Sequence, residues 1–402
     1  MRTYTSKSSQ VRLKNKYINI YNKRISKVNG IINKFGKVRN IAKEIRFIII
    51  NNNLAGGSFK WQKDIQKYIP LIRVASCDDL LKLLSDNKCN FVVLINSFIQ
   101  TDFTIEKLLK IHAVYKFKII LPIHEWYWFV RGSGYSASYH NFYLDKSLSI
   151  PYNTKKLFDI CDKIICPTFF VYDILKKQYN NDKVSVTNWI DYDLNSKSTK
   201  IEIKKRNIIN IGVLVGLCEC KGEEQIEYLI DKYKNIKFHM VGINIEKYDD
   251  NYESFMKIIL KYNIHGLMYL NKWGETWCYG LTKGILTGLP IFYNNVGSFK
   301  ERIPGRTKYF INNNNESEFY DYDMLENNFE KFINYINNNN ICINKIEKMR
   351  AVNNKKLIDE IIYAKVSETN TARQMVAHNM MQKKKKKKFY MLKEKKMFAS
   401  GK

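Results

Sequence analysis

The chain lacks any run of 18 or more apolar residues, the length a membrane-spanning helix needs, and its first segment, MRTYTSKSSQVRLKNKYINIYNKR, has basic residues with no apolar stretch after them. The expectation is a protein without a transmembrane helix or secretory signal, kept in a cytosol-like compartment. Cysteine is present without a framework. Of eight, only Cys218 and Cys220 are close, separated by one residue, which predicts reduced thiols and argues against a disulfide scaffold or zinc site. Proline is scarce, at six residues against 27 tyrosines, in a chain rich in Asn, Lys and Ile. That is the bias of an AT-rich genome, so tracts such as INNNNESEF and INNNNICIN read as polar loops. No G-x-G-x-x-G turn opens either half, since NNNLAGGS and IGVLVG match it poorly, which removes a Rossmann oxidoreductase. Acids are missing from both ends: residues 1 to 43 carry +12, residues 371 to 402 carry +10, and only +7 of the formal +29 is left for residues 44 to 370. A nucleic-acid groove needs its cations on the folded surface, so this distribution argues against one. The basic ends read as tethers or solubilising tails, with peripheral contact to an anionic membrane as one use of them.

What is present is a body with a core. With 45% of residues hydrophobic, the 402-residue chain can build two globular domains. Apolar runs of strand length, IRFIII (45 to 50), NFVVLI (90 to 95), KFKIILPI (116 to 123) and DKIICP (162 to 167), alternate with the amphipathic stretches DDLLKLLSD, TIEKLLKIHAVY and TFFVYDILKKQY. The runs lack period-two alternation, as buried parallel strands do. Apolar density falls across 190 to 206, and then the pattern restarts, with strands at 207 to 216, 236 to 244, 266 to 270 and 289 to 294 and helices near 222 to 233, 252 to 262 and 277 to 287. The fold class is therefore α/β, two Rossmann-like doubly wound domains facing a cleft. The expected division is a basic extension (1 to 43), domains over 44 to 197 and 198 to 350, and a C-terminal helix with a lysine-rich tail (351 to 402).

Ligands of such sheets bind at the carboxyl ends of the strands, and three groups of residues fall there. Lys221-Gly222 follows a strand and opens a helix; a cation beside unpaired N–H groups suits a phosphate, and a solvated surface lysine is the plainer alternative. Glu275 follows GLMYLNKW and precedes a helix expected to start at Thr276 or Trp277. It either complements the helix dipole or accepts two sugar hydroxyls. Gly288-Leu289-Pro290 closes that helix. His124 ends the strand KFKIILPI, beside Glu125 and the aromatic run Trp126 to Phe129; Trp126 and Trp128 would stack on an acceptor sugar or lie buried against the next helix.

These residues carry a resemblance. ETWCYGLTKGILTGLPIFYNNVGSFKERI resembles the donor-site motif of GT-B glycosyltransferases of the group-one, or family-4, type, and Lys221-Gly222 is similar to that family's diphosphate contact. NNNLAGGSFKWQKDI resembles its N-terminal glycine loop, LPIHEWYWF its strand ending in His, DKIICPTFFVYDILKKQY its segment before the linker, and VTNWID the start of the linker itself. The resemblance covers roughly residues 45 to 315, in order. It implies a nucleotide-sugar donor held by the second domain and a carbohydrate-bearing acceptor by the first, with retention of configuration. No cofactor or metal is demanded. The implied donor contacts are Gly56, Gly57, Lys221, Gly222, Thr276, Gly280, Leu281 and Lys283, the catalytic pair His124 and Glu275, and the acceptor side Glu125, Trp126 and Trp128. Two positions depart from the pattern: Lys283 stands where the family has a second Glu, and Gly216 where it has an arginine. An alternative is a catalytically inactive GT-B-like body that binds a sugar or nucleotide, or scaffolds, with basic tails. A metal-dependent transferase would instead use Asp191-Tyr-Asp193 or Asp321-Tyr-Asp323.

Overall fold

The structure is a computed structural model, and it describes residues 45–52, 56–85, 90–98, 100–124, 126–129, 150–204, 207–214, 221–241, 251–303, 308–312 and 321–363. The described residues from Ile45 to Ile358 belong to one compact unit. Of the second unit, which begins at Asp359, only the end of one helix is described. Among the described residues no helix is long and apolar enough to cross a membrane.

The first sheet is built from β1 (Ile45–Ile50), β2 (Leu71–Val74), β3 (Asn90–Ile95), β4 (Lys118–Pro122), β5 (Lys163–Cys166) and β6 (Val184–Val186). All six are parallel, in the order β2-β1-β3-β4-β5-β6. Helices α1 (Gly56–Ile65), α2 (Cys77–Leu84), α3 (Ile105–Tyr115), α4 (Tyr152–Ile160) and α5 (Phe169–Gln178) connect them, with a short 3₁₀ turn at Trp126–Phe129. Side chains cap the N-termini of α2, α3 and α5, from Ser76, Thr104 and Thr168; each hydroxyl accepts an N–H that the helix itself leaves unpaired. Strands β1, β3 and β4 are apolar on both faces because helices cover both faces of a parallel sheet.

Between the sheets lie β7 (Asp191–Tyr192) and β8 (Ser198–Glu202), in the stretch across 190 to 206 where apolar density falls and a linker is expected. The second sheet follows, from β9 (Ile209–Val213), β10 (Ile236–Met240), β11 (Gly266–Tyr269), β12 (Ile291–Tyr293) and β13 (Tyr309–Ile311), parallel in the order β10-β9-β11-β12-β13. Helices α6 (Glu223–Lys232), α7 (Tyr252–Lys261), α8 (Tyr279–Thr287), α9 (Phe299–Arg302) and α10 (Tyr322–Asn338) pack around it. The chain then returns: β14 (Cys342–Ile346) and β15 (Ala351–Val352) pair antiparallel with β8 and β7, before α11 (Asn354–Tyr363). β8 is mostly exposed and weakly apolar, so its partner, some 140 residues on, leaves no local mark in the sequence. The α/β expectation of two doubly wound sheets in series is met. Each sheet has its own apolar core. In the second, α10 presents Leu325, Phe329, Phe332 and Ile336, all buried, each worth about 1.5–3 kcal/mol of burial.

Candidate functional site

In each sheet the chain departs in opposite directions from two neighbouring strands, and this reversal opens a crevice at their carboxyl ends. In the second sheet those strands are β9 and β11. Lys221 follows the first and Glu275 the second, so residues 54 positions apart meet. The Lys221 ammonium donates to Glu275 Oε1 and lies 4.7 Å from the centre of the Trp273 ring. Oε1 also accepts from Asn271 Nδ2 at 2.9 Å and from Trp273 Nε1 at 3.0 Å. Three donors thus fix one oxygen of the carboxylate, and among the described residues none is recorded on Oε2.

The backbone around Glu275 is held as tightly. Gly222 has φ +79, and a β-carbon there would lie 2.0 Å from the Leu270 carbonyl oxygen. Only glycine lets the start of α6 press against the end of β11 and so bring Lys221 alongside. A β-carbon on Gly297, at φ +60, would lie 2.4 Å from Gly274 Cα and 2.6 Å from Glu275 N, and Ser298 N–H donates to the Glu275 carbonyl at 2.9 Å.

The helix after Glu275 begins at Tyr279 and not at Thr276 or Trp277. Cys278 takes the left-handed conformation, φ 59, and the carbonyls of Trp277 and Cys278 accept from the Arg302 guanidinium, which prevents the helix from extending backward. No side chain caps α8 and its first turn has no acid, so its leading N–H groups remain available to an anion. Gly57, in the first turn of α1, lies against the Tyr279 ring: a β-carbon there would sit 3.8 Å from it. Two helix N-termini, one from each sheet, therefore meet. Gly56 opens α1 at φ +78. The glycine loop of the sequence is thus the start of a helix.

His124 follows β4. Its backbone carbonyl accepts from Thr276 Oγ1 at 2.6 Å, joining the two halves beside Glu275. The imidazole stands between Trp61 and Trp189, each with its ring centre 4.9 Å away. The residue keeps some exposed surface, but Nε2 is buried with no hydrogen-bond partner. Loss of hydration drives its pKa down from 6.5 to about 3. At neutral pH this is an uncharged ring that can donate or accept one hydrogen bond.

Other expected residues are placed differently. Trp126 and Trp128 are buried in the first core, the alternative that the aromatic run left open, so neither offers a face to an acceptor. Trp126 instead donates Nε1–H to the Gly274 carbonyl at 2.7 Å, a second tie across the halves. Glu125 and Gly216 lie outside the described residues. The Leu281 side chain is in the second core and its N–H donates to the Cys278 carbonyl at 3.1 Å, while Gly280 accepts from the Tyr269 hydroxyl at 3.0 Å, so of the two only Gly280 would meet a ligand through its N–H. Lys283 is buried within α8. The two Asp-x-Asp triplets have other tasks: Asp191 is buried against Arg302, and Asp321 caps α10 by accepting from Met324 N–H. Sequence reasoning missed Asn271, Trp273, Trp61 and Trp189. The first two sit within four residues of Glu275, where their donor groups were the available signal.

No family model matches the chain, and no curated protein matches it. Several solved structures do. HepE of Anabaena in complex with UDP and glucose is 10% identical, over 84% of this chain and 99% of that one, with a TM-score of 0.46. The lipopolysaccharide outer core galactosyltransferase WaaB in its apo form is 9% identical, over 80% and 99%, with a TM-score of 0.45. A trehalose-6-phosphate protein of E. coli bound with UDP-2-fluoro glucose is 10% identical, over 84% and 99%, with a TM-score of 0.43. The neighbours are two-domain GT-B glycosyltransferases. At one residue in ten, what they bind remains a property of those proteins. The fold of this chain rests on its two parallel sheets, and its chemistry on the groups gathered at their edges.

Proposed function

We propose that the protein is a glycosyltransferase that moves a sugar from a nucleotide-sugar donor to a carbohydrate-bearing acceptor, with retention of configuration and without a metal. The observation that supports this is the state of Glu275. Three donors hold one of its oxygens, while the other has no donor among the described residues, and the uncapped N-terminus of α8 begins four residues on, against the start of α1. A carboxylate presented in this way suits sugar hydroxyls, and the adjoining helix N-termini suit a diphosphate.

In the transfer, the bond between the anomeric carbon and the diphosphate oxygen breaks, a bond to an acceptor hydroxyl oxygen forms, and the proton of that hydroxyl passes to the departing diphosphate. Negative charge accumulates on the departing diphosphate. Lys221 and the N–H groups at Gly57 and at the head of α8 supply positive potential to meet it, already in place before reaction. His124, neutral and braced by two indoles, offers a hydrogen bond to the sugar without adding a charge. Its Thr276 tie keeps the first half in register with Glu275. The basic ends, +12 and +10, suit an acceptor at an anionic surface.

The test is a thermal-shift screen of the intact chain against UDP-, GDP-, dTDP- and CMP-sugars. A ligand at about 100 times its dissociation constant adds about 2.7 kcal/mol of stability. The expected result is a shift with one nucleotide class that Glu275→Ala abolishes, followed by turnover with that donor. Binding without turnover would favour the non-catalytic body, for which Lys283 in place of a second acid is the argument. No shift with any donor would sink both readings.

A further inference from the structure

Asp191 stands between the two sheets in β7 with its side chain buried, only 5% exposed, and three of its four contacts bear on one turn. Oδ2 accepts from Trp277 Nε1 at 3.0 Å, from Arg302 Nη2 at 2.9 Å and from the Thr282 hydroxyl. Oδ1 accepts from its neighbour's backbone, Tyr192 N–H, at 2.8 Å. Arg302 completes the arrangement. It donates to Thr282 Oγ1, to the Trp277 carbonyl and, at 2.8 Å, to the Cys278 carbonyl, and its guanidinium carbon lies 3.8 Å from the centre of the Trp277 ring. Every one of these partners, 277, 278 and 282, belongs to the left-handed turn into α8 or to that helix's first turn.

A buried ion pair is a weak source of stability, because desolvation offsets most of the attraction. Its strength is geometric: a carboxylate with three donors and a planar guanidinium fork with five fix directions. The directions fixed here are those of the leading N–H groups of α8. We propose that Asp191 and Arg302 are positioning residues, which hold the Trp277–Cys278 turn so that the N-terminus of α8 is aimed at the donor's diphosphate. The inference rests on the donor reading above and assigns a task within it to two residues outside the expected site. It also explains why an acid in the linker is buried: Asp191 ties the donor helix to the connection between the halves, through Trp277 and Thr282.

The experiment measures binding of UDP and GDP, as probes, to the intact chain by calorimetry, alongside its melting temperature. Arg302→Lys keeps the charge opposite Asp191 and loses the fork. Thr282→Val keeps the shape and removes one bond to Asp191, so it reports even where the first variant folds poorly. The expected result is nucleotide binding weakened about tenfold in Arg302→Lys and about threefold in Thr282→Val, with melting temperatures within a few degrees of wild type. A purely structural pair would move melting and leave affinity alone. Wild-type affinity in both variants overturns the proposal while leaving the donor site intact. A wild-type chain that binds neither probe overturns the donor reading and the proposal with it, and the two failures differ in whether wild type binds.

Discussion

His124 is a histidine whose ring nitrogen is shut away from water between two indoles. Its pKa falls to about 3 in the folded chain from 6.5, because the imidazolium form would lose its hydration there. The sign follows directly. Below pH 6.5 the unfolded chain takes up a proton that the folded chain refuses, so stability is fully present above 6.5 and declines as pH falls toward 3. At pH 5 the loss is about 2 kcal/mol. Chemical denaturation of wild type and His124→Phe across pH 5 to 7.5 should show the variant free of this slope; parallel slopes would mean that the ring is solvated. The residue's position at a strand end was legible from KFKIILPI alone. Its neutrality was not, because Trp61 and Trp189 lie 63 positions before and 65 after it and only the fold brings them together. The same holds for Glu275 and Lys221. Each was visible as an ionisable group at a strand end, but that they would pair depended on β9 and β11 being neighbours.

Two glycines of similar φ separate conformation from contact. Gly56, at φ +78, faces open space, while Gly297, at φ +60, would place a β-carbon 2.4 Å from Gly274 Cα. Alanine at either position meets the left-handed backbone penalty, about 1–2 kcal/mol. At Gly297 it must also push the loop before α9 away from Glu275. Urea unfolding should therefore show Gly297→Ala more destabilising than Gly56→Ala by at least about 1 kcal/mol. Equal losses would show that the loop yields freely. At this scale, most of what the sequence revealed came from apolar continuity. β1 and β3 fall where IRFIII and NFVVLI place them, and α6, α7 and α8 begin within three residues of expectation. α10 was passed over despite apolar residues at 325, 329, 332 and 336, since the asparagine tract ahead of it reads as loop. β8 and β14 were missed for a different reason: they pair with each other in a two-stranded sheet in which β8 is largely exposed and β14 buries only Ile343, so neither has an apolar period to display.

Across the whole molecule, the halves meet through directional polar contacts at the rim of the site. Trp126 reaches the Gly274 carbonyl, Thr276 reaches the His124 carbonyl, and Lys60 lies 5.1 Å from the centre of the Tyr279 ring. Furthest out, the exposed Glu301 at α9 places one carboxylate oxygen on each of the N–H groups of Phe169 and Phe170, at the head of α5. A carboxylate there satisfies two unpaired donors and complements the helix dipole, and it does so across the junction. Interfaces of this polar kind open and close more readily than apolar ones. Glu301 is therefore the contact whose removal should loosen the junction without unfolding either sheet, because Thr168 still caps α5. In Glu301→Gln the amide keeps one acceptor and turns its NH₂ toward the second N–H, losing one charge-assisted bond of about 1.5 kcal/mol. Hydrogen exchange should then quicken about tenfold at Phe169 and Phe170, with the melting temperature held within a few degrees. Unchanged exchange at those two amides would mean that the remaining contacts close the junction alone. A chain that melted early instead would make Glu301 part of the core architecture of α5, with no separate share in closure.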